Sequence, residues 1–179
     1  MKKLFALLLV TSIFACKNVD QYKTGITELG TKWEAATTSV GDFATMLDAS
    51  KAAHMANLDS LKIDSSFLAK VKKTDMEKIS AALQSYKDSG AGLDAVASQL
   101  NELKGTWSAK AEEIKALQDG LAAGKLEGDV TAKIAELTNY ITTTETSITG
   151  MKETVNQTSE GSKMALETLK AAVSAYMTK

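Results

Sequence analysis

The sequence predicts an all-α protein, an elongated antiparallel three-helix bundle with an up-down-up path and coiled-coil-like packing. Three observations predict it. There is no proline in 179 residues, so nothing of that kind interrupts a long helix. Apolar residues recur at alternating spacings of three and four, the 3.5-residue period of a coiled-coil seam. The rhythm stops twice, and the two breaks leave three segments of similar length.

The chain opens on a different pattern. Lys2 and Lys3 form a short positive region, and the apolar run "LFALLLVTSIFA" follows from Leu4 to Ala15. That run has the length of a secretory-signal core. A permanent membrane span needs about 20 apolar residues. Cys16, the one cysteine of the chain, stands where the polar segment begins. It excludes an intramolecular disulfide.

In the first helical segment the seam reads Val19, Tyr22, Ile26, Leu29, Trp33, Ala36, Val40, Phe43, Leu47, Ser50 and His54. Leu58 and Leu61 continue it after a one-residue slip, which bundles tolerate. Residues 62–74, "KIDSSFLAKVKKT", break the pattern. Here Phe67, Leu68 and Val71 either extend a neighbouring helix or form a short cap. Thr74 then opens "TDME", which reads as a capping box with Glu77.

The second seam runs Met76, Ile79, Leu83, Tyr86, Gly90, Leu93, Ala97 and Leu100. After a slip at Leu103 it continues through Trp107, Ala111, Ile114, Leu117 and Leu121. "DGLAAGKLEGD", with Gly120, Gly124 and Gly128, marks the next break. Asp129 is an N-cap type placed to open the third helix. Its seam is Val130, Ile134, Leu137, Ile141, Thr144, Ile148, Met151, Val155, Thr158, Ser162, Ala165, Leu169 and Val173. The expected helices are 18–62, 74–121 and 129–178, in a single domain over 16–179. They are roughly 65–75 Å long at 1.5 Å per residue, and short connections favour antiparallel neighbours.

Antiparallel folding about residue 70 sets residues whose numbers sum to 140 opposite one another. It pairs Trp33 with Trp107, Ile26 with Ile114, Val40 with Leu100, Leu47 with Leu93, and Leu61 with Ile79. The repeated "ELGTKW" and "ELKGTW" are then two halves of one core layer. Folding about residue 125 brings Ile141 and Thr144 to the same level. His54 falls opposite Tyr86, as a His–Tyr hydrogen bond or as a polar layer that fixes register.

Chemistry is sparse. The 21 basic residues are all Lys against 22 acidic ones; without Arg or a basic stripe, nucleic acid is a poor partner. One His and one Cys leave almost nothing for a transition metal. Asp119, Glu127 and Asp129 crowd one turn, and a polar loop explains them better than a cation site. No catalytic constellation, phosphate loop or dinucleotide fingerprint is present. We therefore expect no enzyme, no cofactor, no metal and no small-molecule substrate. The seam of the third helix, with Thr144, Thr158 and Ser162, buries little apolar area. That points to association with an envelope protein, a second copy or lipid.

The N-terminus resembles the signal of bacterial lipoproteins. Their lipobox is an aliphatic residue, a small or aliphatic residue, a small residue and the modified cysteine. Ile13, Phe14, Ala15 and Cys16 stand in that order, with Phe14 bulkier than usual. The resemblance covers these first 16 residues. It implies removal of residues 1–15, acylation of Cys16 and membrane anchoring by two or three acyl chains. Lys17 is not the acidic residue that retains some lipoproteins at the inner membrane, so an outer-membrane destination is favoured. The expected function is that of a lipid-anchored module of the cell envelope, a spacer, scaffold or adaptor. The alternative is a lipid- or client-binding bundle, apolipoprotein-like or periplasmic-chaperone-like.

Overall fold

A computed structural model describes residues 19–63 and 65–177. Ile13, Phe14, Ala15 and Cys16 lie outside the described residues. The protein is all-α, with no strand among the described residues. Its helices are α1 (Asp20–Ser60), α2 (Ser65–Leu68), α3 (Lys73–Ser89), α4 (Ala91–Ala122) and α5 (Val130–Met177).

Three helices are expected from the seam, and the described residues hold five helical elements. One addition is α2, a single turn in the segment where the heptad rhythm lapses. Its Phe67 and Leu68 pack beside buried Val71, Ile79, Tyr86 and Leu169. The other comes from Gly90, which separates α3 from α4. Gly90 keeps right-handed angles (φ −84°, ψ −11°). Around it the backbone bonds shorten to three-residue steps, Gly90 to Lys87 and Leu93 to Gly90. Such tightening marks a local bend point.

The helix starts differ in chemistry. Asp129 caps α5 as expected, its carboxylate accepting the Ala132 N–H at 2.9 Å. Thr74 is not the cap residue of α3, contrary to the capping-box expectation. The α3 helix starts one residue earlier, at Lys73, with Lys72 as a cap residue that makes no side-chain cap bond. The Lys72 carbonyl accepts from both Asp75 and Met76, so Thr74 already lies inside the first turn. At the end of α4, Gly124 takes φ +67°. There Lys125 N–H bonds the Gly120 carbonyl and Gly124 N–H bonds that of Leu121. This is a Schellman stop, and the positive φ is why glycine stands there.

The chain divides into two compact units. One comprises Met1–Thr38, as far as it is described, with Leu103–Glu145. Its core gathers Ile26, Leu29, Ala36, Trp107, Ile114, Leu117, Val130, Leu137 and Ile141. The Trp33 and Trp107 rings stack, with centroids 3.7 Å apart. Trp107 Nε1–H donates to Thr37 Oγ1 at 3.2 Å, and Tyr140 lies 5.9 Å from the Trp107 ring. Ion pairs join α4 to α5, Lys110 to Glu136 at 2.6 Å and Lys133 to Glu113, and Lys110 also pairs within α4 to Glu113 at 2.9 Å.

The other unit comprises Ser39–Glu102 with the described part of Thr146–Lys179. Val40, Phe43, Leu47, Leu93, Val96, Leu100, Ile148, Met151 and Val155 are buried there. A further cluster joins Val71, Ile79, Ala82, Tyr86, Leu166 and Leu169. Between these apolar layers the seam turns polar.

Candidate functional site: a polar layer around His54

The polar layer is set by residue choice at successive seam positions. On α1 the large residues Phe43 and Leu47 give way to Ser50 and His54. On α5, Val155 gives way to Thr158 and Ser162. Two glycines, Gly90 and Gly92, face them. A Cβ at Gly90 would lie 2.5 Å from His54 Nε2, and one at Gly92 would collide with the Thr158 hydroxyl. Both glycines therefore serve close approach of a polar side chain to the backbone.

His54 and Tyr86 meet as the numbering predicts, but not through their side-chain polar atoms. The rings stack at 4.4 Å, 13° from parallel. The Tyr86 hydroxyl instead donates to the His54 backbone carbonyl at 2.7 Å. His54 Nδ1 is closed off from solvent without a hydrogen-bond partner. Burial pushes the imidazole below its ordinary value of 6.5, and the Asp94 carboxylate pulls it back up. Burial likewise pushes the Tyr86 phenol up, against the pull of Asn57 and Lys170.

Ser89 completes the layer. Its hydroxyl donates to the Tyr86 carbonyl at 2.6 Å and lies 3.0 Å from Ser162 Oγ. Ser162 in turn donates to the Ser89 carbonyl at 3.3 Å. Buried Ser162 is thereby satisfied. The small side chains leave a groove of about 350 Å³ lined by Ala49, Ala53, His54, Ser159, Ser162 and Lys163, among others. His54 also lines a smaller groove, about 120 Å³, with Lys51, Lys87 and Asp94. Asp94 is held by Lys51 at 2.6 Å.

Chemically, this is a packing layer. The Ser162 hydroxyl is committed to Ser89, the imidazole to Tyr86 and Gly90, and the Asp94 carboxylate to Lys51, so they form no nucleophile–base pair. The acidic turn also disperses. Asp119 pairs with Lys115 at 2.5 Å, and Asp129 caps α5. Among the described residues, no three His, Cys, Asp or Glu are grouped to hold a metal. The seam pattern reveals Ser50, His54, Tyr86 and Ser162. It gives no sign of Ser89, Ser159 or Lys163, which lie off the strict seam and enter because small neighbours leave room beside them.

No described helix is long and apolar enough to cross a membrane. Comparison with protein-family models, with curated proteins and with solved structures finds no match.

Proposed function

We propose that this chain is a lipid-anchored lipoprotein of the bacterial cell envelope, whose helices serve as a structural or protein-interaction module. The observation that carries the reading is Cys16, placed directly after a charged, then apolar, then small-residue run. Acylation there would supply the two or three chains that a stable anchor needs. The α1 helix begins at Asp20, close behind the proposed anchor, which suits a module held near its membrane. An outer-membrane location is favoured by Lys17. Its partners would be the membrane through acylated Cys16, and an envelope protein or a second copy.

Within each unit we read an up-down-up, antiparallel path. The supporting contacts are Gly30 to Gln118 and Trp33 to Trp107 in one unit, and Lys51 to Asp94 and His54 to Tyr86 in the other; in both, the numbers fall on one helix as they rise on the other. From α4 to α5 the same holds for Thr106 with Tyr140 and Lys110 with Glu136.

A second reading, a lipid- or client-binding bundle, is favoured by the groove beside His54 and by exposed Met55 and Met164. Vesicle flotation of the native chain and of Cys16→Ala separates the two. The anchored-module reading expects the native chain to float and the variant to stay in solution, with unchanged Trp emission. Flotation of Cys16→Ala accompanied by an emission shift would favour the second reading.

A further inference from the structure

We propose that His54 is an acid-sensitive latch on the α3–α4 joint: neutral, it closes the joint; protonated, it leaves the stack and loosens the surrounding unit. The inference is independent of the membrane anchor.

The geometry carries it. The imidazole fills the space between the Tyr86 ring and the Gly90 backbone, at the point where α3 passes into α4. Only glycine at position 90 leaves that space. Tyr86 also holds the α1 backbone at the His54 carbonyl. One ring thus lies against the bend point and under the bond that ties α1 to α3.

The neutral imidazole suits this place. Its Nδ1 is closed off with no partner, so a proton added there would find no acceptor on the buried side of the ring. Four charged side chains line the same grooves. Lys51 on α1, Lys87 on α3 and Lys163 on α5 line the two grooves that His54 also lines. Tyr86 is an uncharged phenol. Asp94 on α4 is the one carboxylate lining those grooves, and it is already paired with Lys51. The Asp94 carboxylate favours the imidazolium, but burial outweighs it and lowers the affinity of the folded ring for a proton.

The sign follows from linkage. The folded imidazole titrates below its ordinary value of 6.5, so near that value the open state binds more protons than the closed one. The contribution of the neutral ring to closure is fully present well above pH 6.5. It weakens as pH falls through 6.5 toward the folded midpoint, by at most about tenfold in the opening equilibrium per pH unit.

The chain has one histidine, so NMR of the full chain shows a single imidazole titration. Protection factors from hydrogen exchange read opening at the joint, residues 86–93, with 107–114 in the other unit as reference. The expected result is a midpoint below 6.5 and selective loss of protection at 86–93 on acidification. His54→Phe, which can stack but not titrate, should remove that pH dependence, as should His54→Gln. Gly90→Ala should displace the ring and move the midpoint back toward 6.5. A native midpoint at or above 6.5, or the same acid loss of protection in both His54 variants, would overturn the proposal.

Discussion

Trp33 and Trp107 lie face to face, their ring centroids 3.7 Å apart and their planes 10° from parallel. At that spacing each ring fills the face of the other and leaves no slot for a ligand. The pair packs in the core cluster that also holds Ile114, Leu117 and Ile141. Trp107 is buried and Trp33 half-buried. Trp107→Ala should therefore cost about 3–5 kcal/mol, the range for deleting a buried indole, and Trp33→Ala clearly less. Urea denaturation followed by helical circular dichroism tests the order. Equal, small losses would mean that the stack is not a core layer.

The glycines separate into two groups that substitution should distinguish. Gly41, Gly105 and Gly150 lie in helices with nothing within 4 Å of an added Cβ. Alanine at each should stabilise by up to about 1 kcal/mol, through helix propensity alone. Gly92→Ala brings the new methyl against Thr158 and should lose that gain. In a Thr158→Ala background the gain should return, so the two changes are expected to be non-additive. Thermal melts of the four proteins in that cycle measure the coupling.

The Lys110–Glu113–Lys133–Glu136 network should respond to acid and salt in a defined direction. Hydrogen bonds from Lys133 and Lys110 hold the Glu113 carboxyl below its ordinary 4.5, and those from Lys110 and Lys133 do the same for Glu136. Their contribution is therefore present above 4.5 and is lost as pH falls below it. These groups are partly exposed, so added salt should also weaken it. Melting temperature against pH, for the native chain and for Glu113→Gln with Glu136→Gln, should differ above pH 4.5 and converge below it.

The two sequence-identified caps predict opposite outcomes. Asp129→Ala removes the acceptor of the Ala132 N–H and should cost about 1 kcal/mol. Thr74→Ala should be close to neutral, because the α3 cap residue is Lys72. Paired denaturation curves for the two variants check this.

That contrast shows what the sequence makes legible. Heptad spacing identifies the buried faces because it follows from helix geometry, and Ile26, Phe43, Leu93, Leu137 and Leu169 are all buried. Fold-back arithmetic finds Trp33 with Trp107 and His54 with Tyr86 because short connections leave little freedom in pairing. Buried Ala82, Val96 and Leu166 fall outside the strict seam, since a helix packed against two others buries a wider face than a two-helix seam. The break at Gly90 is hidden because glycine occupies a seam position without violating the rhythm. At the His54 layer the pairing is legible and the bonding is not. Whether Tyr86 reaches the imidazole or the carbonyl of His54 depends on ring stacking that spacing alone does not encode. At α3, "TDME" satisfies a local motif, but the helix starts one residue earlier.

The most direct test of the proposed function is the intact mass of the protein extracted from membranes, beside a Cys16→Ala variant. The expected result is a chain beginning at Cys16 and carrying acyl mass, with the variant unlipidated and lost from the membrane fraction. A native chain that keeps residues 1–15, or is cleaved without lipid, would contradict it and leave Cys16 incidental.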